Sequence, residues 1–199
     1  GWLDIAATGG SLFDPLCGSG TLVIEAALIA GDSAPGLTRA HFGFLKWKQH
    51  QPHIWQRQLE AARARRRKGM QSLPVIMGCD NDERAVQSAR ANAVRAQVDV
   101  HVQFEQRDMR NTPDPKFCSG LLVTNPPYGE RMGEERALKA LYADLGSVIK
   151  EHFTGWKAAV FTGRPDLGRY LSLRAVLVNK FNNGPIECRL LRFEVDQRH

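Results

Sequence analysis

Four short apolar runs, each leading to an acid or an amide, constrain this chain more than any other feature. "SLFD" stops at Asp14, "PVIMGCD" at Asp80, "VDVHVQF" leads through "EQRD" to Asp108, and "GLLVTN" stops at Asn125. Segments with helical spacing of apolar residues follow the first, second and fourth runs: "TLVIEAALIAG", "DERAVQSARANAVRAQ" and "EERALKALYADLGSVIKEHF". Strands alternating with helices predict an α/β fold, a largely parallel sheet covered by helices. In an open sheet of this kind, ligands bind beyond the carboxyl ends of the strands where strand order reverses. The four polar residues therefore predict one crevice built by successive strand ends.

The remaining segments fill in this plan. Val86, Ala89, Ala93 and Val94 are spaced to form the buried stripe of the second helix. "VDVHVQF" alternates with period two and predicts a strand over residues 98–104. "WKAAVFTG" is a fifth strand, and "RPDLGRYLSL" a short helix with Pro165 near its first turn. "AVLVNKFNNGPIECRLLRFEV" reads as two strands joined in a hairpin at Asn-Asn-Gly-Pro. Residues 32–73 are too long for an ordinary connection and predict an inserted segment with structure of its own. Its aromatics Phe42, Phe44, Trp47 and Trp55 are expected to form a small core and to contribute to a substrate wall. No repeat and no second domain boundary is visible, so residues 1–199 are expected to form a single domain.

Composition narrows the function. At 199 residues and 43% hydrophobic, the chain can bury a real core and is not disordered. No apolar run reaches the roughly 20 residues of a membrane span, and "GWLDIAATGG" lacks the pattern of a secretory signal, so a soluble cytoplasmic protein with no membrane partner is expected. Cys17, Cys79, Cys118 and Cys188 are far apart, which predicts reduced, packed thiols and no metal site; His50 and His53 are expected at the surface. The net charge of +6 favours an acidic partner such as nucleic acid. The densest basic run, "RARRRKG", includes Arg65, Arg66 and Arg67. It has two open readings: a solvated helix end stopped by Gly69, or a patch that contacts substrate phosphate.

"DPLCGSGT" is a nucleotide-type loop, but it lacks the Gly-Lys-Ser/Thr ending that holds a triphosphate and the G-x-G-x-x-G spacing of dinucleotide sites. It offers a carboxylate, Asp14, followed by bare backbone through Pro15, Cys17, Gly18, Gly20 and Thr21. That suits a ligand with an ammonium group and a bulky body, such as the methionine part of S-adenosylmethionine. Asp80, with Asn81 beside it, can then accept from ribose hydroxyls. Asp108 can accept from the adenine amino group while the Met109 backbone approaches the ring. Cys17 is expected to pack near the ligand and not to act as a nucleophile.

"DPLCGSGTLVIE" followed by "NPPYGERMG" resembles the Rossmann-like amino-methyltransferases, and more narrowly the RNA guanine-N2 methyltransferases that often carry a THUMP domain. "GDSAPGLTRAHFGFLKW" and "NNGPIEC" are similar to the bacterial branch of the RlmL and RlmKL type, which acts on large-subunit (23S) ribosomal RNA. The resemblance covers almost the whole chain. It implies the class I S-adenosylmethionine-dependent fold, a mostly parallel seven-stranded sheet ending in an antiparallel hairpin. It also implies a catalytic domain alone, with the family's THUMP region absent from these residues. The cofactor would lie on Asp14, the Gly18–Gly20 loop, Asp80, Asp108 and Asn125, and the target base at Asn125, Pro126, Pro127 and Tyr128.

The chemistry of that last motif is intelligible. An exocyclic amine on a purine is a poor nucleophile because its lone pair is delocalised into the ring. The Asn125 side-chain oxygen and the Pro126 carbonyl, held still by the Pro-Pro pair, can each accept one amine hydrogen and aim the lone pair at the methyl group. Tyr128 offers a face for the extruded base, a contact worth roughly 1–3 kcal/mol. Arg131 is either an ion-pair partner of Glu130 or Glu134 or a contact to substrate phosphate. Asn-Pro-Pro-Tyr also serves adenine N6 and glutamine amides, and a catalytically inactive RNA-binding module is the alternative of a different class.

Overall fold

All four residues of β1 (Ser11–Asp14) are buried, and the sheet grows outward from it on both sides. The computed structural model describes residues 1–115, 119–128 and 135–196. β1 pairs in parallel with β2 (Ile76–Asp80) and with β4 (Gly120–Thr124). β3 (Gln103–Gln106) lies outside β2, and β5 (Lys157–Thr162) outside β4, again parallel. β7 (Ile186–Glu194) runs antiparallel to β5, and β6 (Leu177–Asn183) closes the edge antiparallel to β7. The order is therefore β3-β2-β1-β4-β5-β7-β6, with the reversal between β1 and β4. This is the seven-stranded class I arrangement expected from the sequence.

Period-two alternation sorts the strand residues between two cores. Leu12, Ile76 and Phe104 face α2 (Thr21–Ala30) and α4 (Glu83–Ala96), where they meet Val23, Ala27, Val86, Ala89 and Ala93. Phe13, Leu122 and Val160 face the other way onto α5 (Glu135–His152), meeting Tyr142, Leu145 and Ile149. Each fully buried Leu or Ile contributes roughly 1.5–3 kcal/mol, so both layers hold the sheet. α1 (Trp2–Ala7) buries no residue, but its Trp2 indole donates to the Ala26 carbonyl at 2.9 Å and so ties it to α2.

Some details depart from the sequence expectation. The third strand is Gln103–Gln106, not 98–104. Gln97 takes a left-handed conformation at the end of α4 and the chain turns, leaving Val100 82% exposed. Val94 also lies outside the helix stripe and is exposed. The short helix after Arg164 is a 3₁₀ helix over Pro165–Leu171 with Pro165 at its start, as expected. Gly69 is the last residue of α3 (Pro52–Gly69) with an ordinary helical φ of −64°. Its glycine is required by packing, because a Cβ there would lie 2.4 Å from the Gly31 carbonyl oxygen.

The insertion at 32–73 consists of loops, short 3₁₀ turns and α3. Phe42, Phe44 and Trp55 form its small core, with Phe44 and Trp55 rings 4.9 Å apart and edge-on. Trp47, expected in that core, is 71% exposed. His50 packs against Phe44.

Candidate active site

The reversal of strand order places the ends of β1 and β4 side by side. The register aligns Phe13 with Leu122, so Asp14 and Asn125 leave adjacent strands within two residues of each other. Asp14 is 1% exposed. Burial pushes its carboxyl up to about 7 and Asp80 adds repulsion, while the Leu16 N–H, donated at 3.1 Å, opposes both. The Thr124 hydroxyl beside it favours the ionised form but falls short of hydrogen-bonding geometry and has no partner among the described residues. No cation faces Asp14 among the described residues. A buried carboxylate in this state could receive an ammonium group, because an ion pair would offset the desolvation.

The loop after β1 wraps back on β2. Cys17 N–H donates to the Cys79 carbonyl at 2.9 Å, and Gly20 N–H to the Cys17 carbonyl at 2.8 Å. Gly18 N–H donates to Asp80 at 3.0 Å. Gly20 has φ +82°, and a Cβ on it would lie 2.8 Å from the Phe104 ring and 2.9 Å from Ala89. Only glycine both turns the chain there and lets α2 start so close to the sheet. A Cβ at Gly18 would meet nothing within 4 Å, so that side of the loop is open for close backbone approach. Thr21 is the first residue of α2, and Pro15 offers its carbonyl to the Cys79 thiol. Burial pushes the Cys17 thiol far above its ordinary range and Cys79 up to about 12, so neither is a nucleophile at neutral pH.

Asp80 and Asp108 are more engaged than the sequence suggested. Asp80 accepts from Gly18 N–H with one oxygen and from Asp82 N–H with the other, each at 3.0 Å. Ribose hydroxyls would use its remaining lone pairs. Asn81 is exposed at the same strand end. Asp108 caps the 3₁₀ turn Met109–Asn111 and is held by the Arg110 guanidinium on both oxygens. Those bonds hold its carboxyl down at about 2. The acceptor assigned to an adenine amino group thus faces Arg110 here, whose side chain is 64% exposed. Met109 is buried in the α5-side core.

Asn125 and Pro127 are exposed, while Pro126 is buried and Tyr128 half-buried. The Tyr128 hydroxyl donates to Asn125 Oδ1, so ring and amide form one unit. Its ring lies over Gly163, where a Cβ would be 3.2 Å from Cδ2, and next to Ile186. Burial raises the Tyr128 phenol, and the Asn125 bond opposes that rise. Thr124, Gly163 and Ile186 were not singled out in the sequence. The rule that assigned four strand ends would have found Gly163, since it follows β5 directly.

Arg65, Arg66 and Arg67 are not part of this crevice. Arg65 pairs with Asp32, and Arg66 donates to carbonyls of Ala96 and Gln97 at the far end of α4. Arg131 and Cys118 lie outside the described residues. No group of three or more His, Cys, Asp or Glu able to hold a metal occurs among the described residues. No described helix is long and apolar enough to cross a membrane.

The strand order together with a cofactor-type loop at its switch point defines a class I methyltransferase fold. Residues 5–192 match the family described as UPF0020, RMKL-like, methyltransferase domain, and the chain belongs to that family. Ribosomal RNA large subunit methyltransferase K/L of Syntrophotalea carbinolica is 52% identical over all of this chain, and that of Allochromatium vinosum 50%. The chain spans only 28% and 27% of those two relatives. The crystal structure of SMU.472 complexed with SAH is 30% identical with a TM-score of 0.85, covering 96% of this chain and 49% of that one. A Salinibacter ruber RNA methyltransferase shares the fold at a TM-score of 0.56 and 16% identity, covering 100% of this chain and 90% of that one.

Proposed function

We propose that this chain transfers a methyl group from S-adenosylmethionine to the N2 amine of a guanine in large-subunit ribosomal RNA. The observation that carries this reading is the juxtaposition of buried Asp14, its carboxyl pushed up by burial, with the Asn125–Tyr128 turn at the strand-order reversal. The ribosomal RNA acceptor is supported by the names of the relatives that match the whole chain.

S-adenosylmethionine supplies an activated methyl group on a positive sulfur. Asp14 would pair with its ammonium, the open Gly18 backbone would lie along its body, and Asp80 would face the ribose. Asn125 Oδ1 and the Pro126 carbonyl accept the two amine hydrogens and so direct the nitrogen lone pair. In this structure the Tyr128 hydroxyl already occupies one lone pair of Asn125 Oδ1, which fixes the amide orientation before the base arrives. The amide oxygen has a second lone pair for the amine. The guanine ring stacks on the Tyr128 face, and the amine proton leaves to solvent after transfer, because neither acceptor can retain it. Catalysis here is positioning and alignment.

Asn125→Ala should reduce methyl transfer at least 100-fold while S-adenosylmethionine binding by calorimetry stays within about threefold. Near-normal turnover by this variant would refute the acceptor role. Nucleoside mass spectrometry of the methylated RNA identifies the acceptor. N6-methyladenosine in place of N2-methylguanosine, or methyl incorporation into a glutamine-bearing protein, would overturn the guanine assignment.

A further inference from the structure

α3 carries six cations, Arg57, Arg63, Arg65, Arg66, Arg67 and Lys68, against one carboxylate, Glu60, and none of its 18 residues is buried. Trp55, Leu59, Ala62, Arg66 and Gly69 form its half-buried side, while Arg63 and Arg67 stand exposed one turn apart, and like charges at i, i+4 are destabilising. An anion that bridges these cations offsets that repulsion. Its last turn lies along a cleft of about 710 Å³ lined by Arg39, Arg63, Arg66, Arg67, Gln97 and His101, with no carboxylate in the lining.

The cleft is organised. Arg66 spends its guanidinium on the Gln97 side chain at 3.0 Å and on the Gln97 carbonyl at 2.7 Å, fixing α3 against the end of α4. Arg39 is held over the Phe42 ring at 5.6 Å. Arg63 and Arg67 are exposed and make no ion pair or hydrogen bond with the described residues. The favourable end of a helix dipole accounts for cations in the last turn, Arg66, Arg67 and Lys68. It does not account for Arg63 one turn earlier, nor for Arg39 and His101, which arrive from other segments.

The position of the cleft matters most. α4 leaves the carboxyl edge of the sheet at Asp82 and ends at Gln97, 14 helical residues later, a path of about 20 Å. The cleft therefore sits at the opposite edge of the sheet from Asp14 and Asn125, where it cannot touch the methylated base. We propose that it binds the phosphodiester backbone of the same RNA at a second, sequence-independent contact, so that the RNA passes around the α2 and α4 face of the domain. This rests on the reading of RNA as substrate. Guanidinium groups on two chain segments suit phosphate oxygens, which they meet through paired N–H donors.

The test is Arg63→Gln/Arg67→Gln in the full chain, with a large-subunit ribosomal RNA transcript as probe. Removing one cation from a phosphate lowers the slope of log affinity against log salt by about 0.7–0.9, so the double variant should reduce it by about 1.4–1.8 and raise the KM for RNA about tenfold. Its S-adenosylmethionine affinity should match the unmodified chain and its melting midpoint should be no lower, and Arg63→Lys/Arg67→Lys should restore the slope. An unchanged slope and KM, with RNA methylation by the unmodified chain intact, would overturn the second contact and leave the active-site reading standing. Failure of the unmodified chain to bind or methylate RNA would overturn both. Loss of binding to poly-glutamate with RNA affinity unchanged would also overturn it, in favour of an acidic protein partner.

Discussion

Replacing Asp14 by asparagine should make the ligand-free protein more stable and abolish the proposed methyl transfer. The carboxyl is 1% exposed and has its pKa raised from 3.8 to about 7, with burial as the leading cause. Below about pH 4 it is protonated in both folded and unfolded chains and has no differential effect. Between about 4 and 7 the unfolded chain ionises and the folded chain does not, so the folded state binds more protons and stability falls as pH rises. Above about 7 the loss is complete. At about 1.4 kcal/mol per pH unit, the gap from 3.8 to about 7 converts to roughly 4 kcal/mol. The group is almost wholly buried, so solvent screening does not reduce the figure.

Asparagine keeps the shape and the acceptor for the Leu16 N–H, but carries no charge to desolvate. Urea unfolding at pH 5, 6, 7 and 8 should therefore show the two proteins converging at low pH. The variant should lead by several kcal/mol at pH 8. Calorimetry in the same buffers should show S-adenosylmethionine affinity rising with pH through about 7 in the unmodified chain, since its ammonium pairs with the ionised form. In the variant, affinity should be weak at every pH. A stability difference that is flat from pH 5 to 8, or an unmodified chain that gains on the variant as pH rises, would refute the argument.

Gly163→Ala should lower kcat/KM about tenfold by pressing a methyl to 3.2 Å from the Tyr128 ring, while urea unfolding shifts by less than about 1 kcal/mol; unchanged kinetics would remove Gly163 from the base platform. Gly20→Ala should destabilise by about 1–3 kcal/mol in chemical denaturation, because it combines a left-handed φ of +82° with a 2.8 Å approach to Phe104. Tyr142→Phe should cost about 1–2 kcal/mol by the same measurement, since it strips the buried 2.7 Å partner from Thr162. If Tyr142→Phe unfolds at the same urea concentration as the unmodified chain, the hydroxyl pair contributes nothing.

Much of the architecture was legible because it rests on local rules. Apolar period and strand-end polarity located β1, β2, β4 and β5 and aligned Asp14, Asp80, Asp108 and Asn125 on one edge. The helix stripe Val86, Ala89 and Ala93 followed from a spacing of three and four. The errors arose where a local signal met a turn: the alternation in "VDVHVQF" is real, but Gln97 bends the chain and only Gln103–Gln106 reaches β2 to pair. Gly69 likewise resembles a helix stop in sequence, while its lack of a side chain answers to Gly31, distant in the chain.

The sequence by itself determined which groups could do chemistry: a carboxylate before a glycine loop, an amide held beside two prolines, and an aromatic face. These are properties of residue types and short spacings, so no tertiary information is needed to read them. Only the tertiary structure decided how those groups are used. Burial, set by residues far apart in the chain, raised Asp14; Arg110 closed on Asp108; the Tyr128 hydroxyl locked Asn125. The basic run, readable as a helix end or as a substrate-phosphate patch, was carried by α3 to the opposite edge of the sheet from the glycine loop. Solvent exclusion and distance through space are sums over the whole fold, and a linear pattern does not contain them.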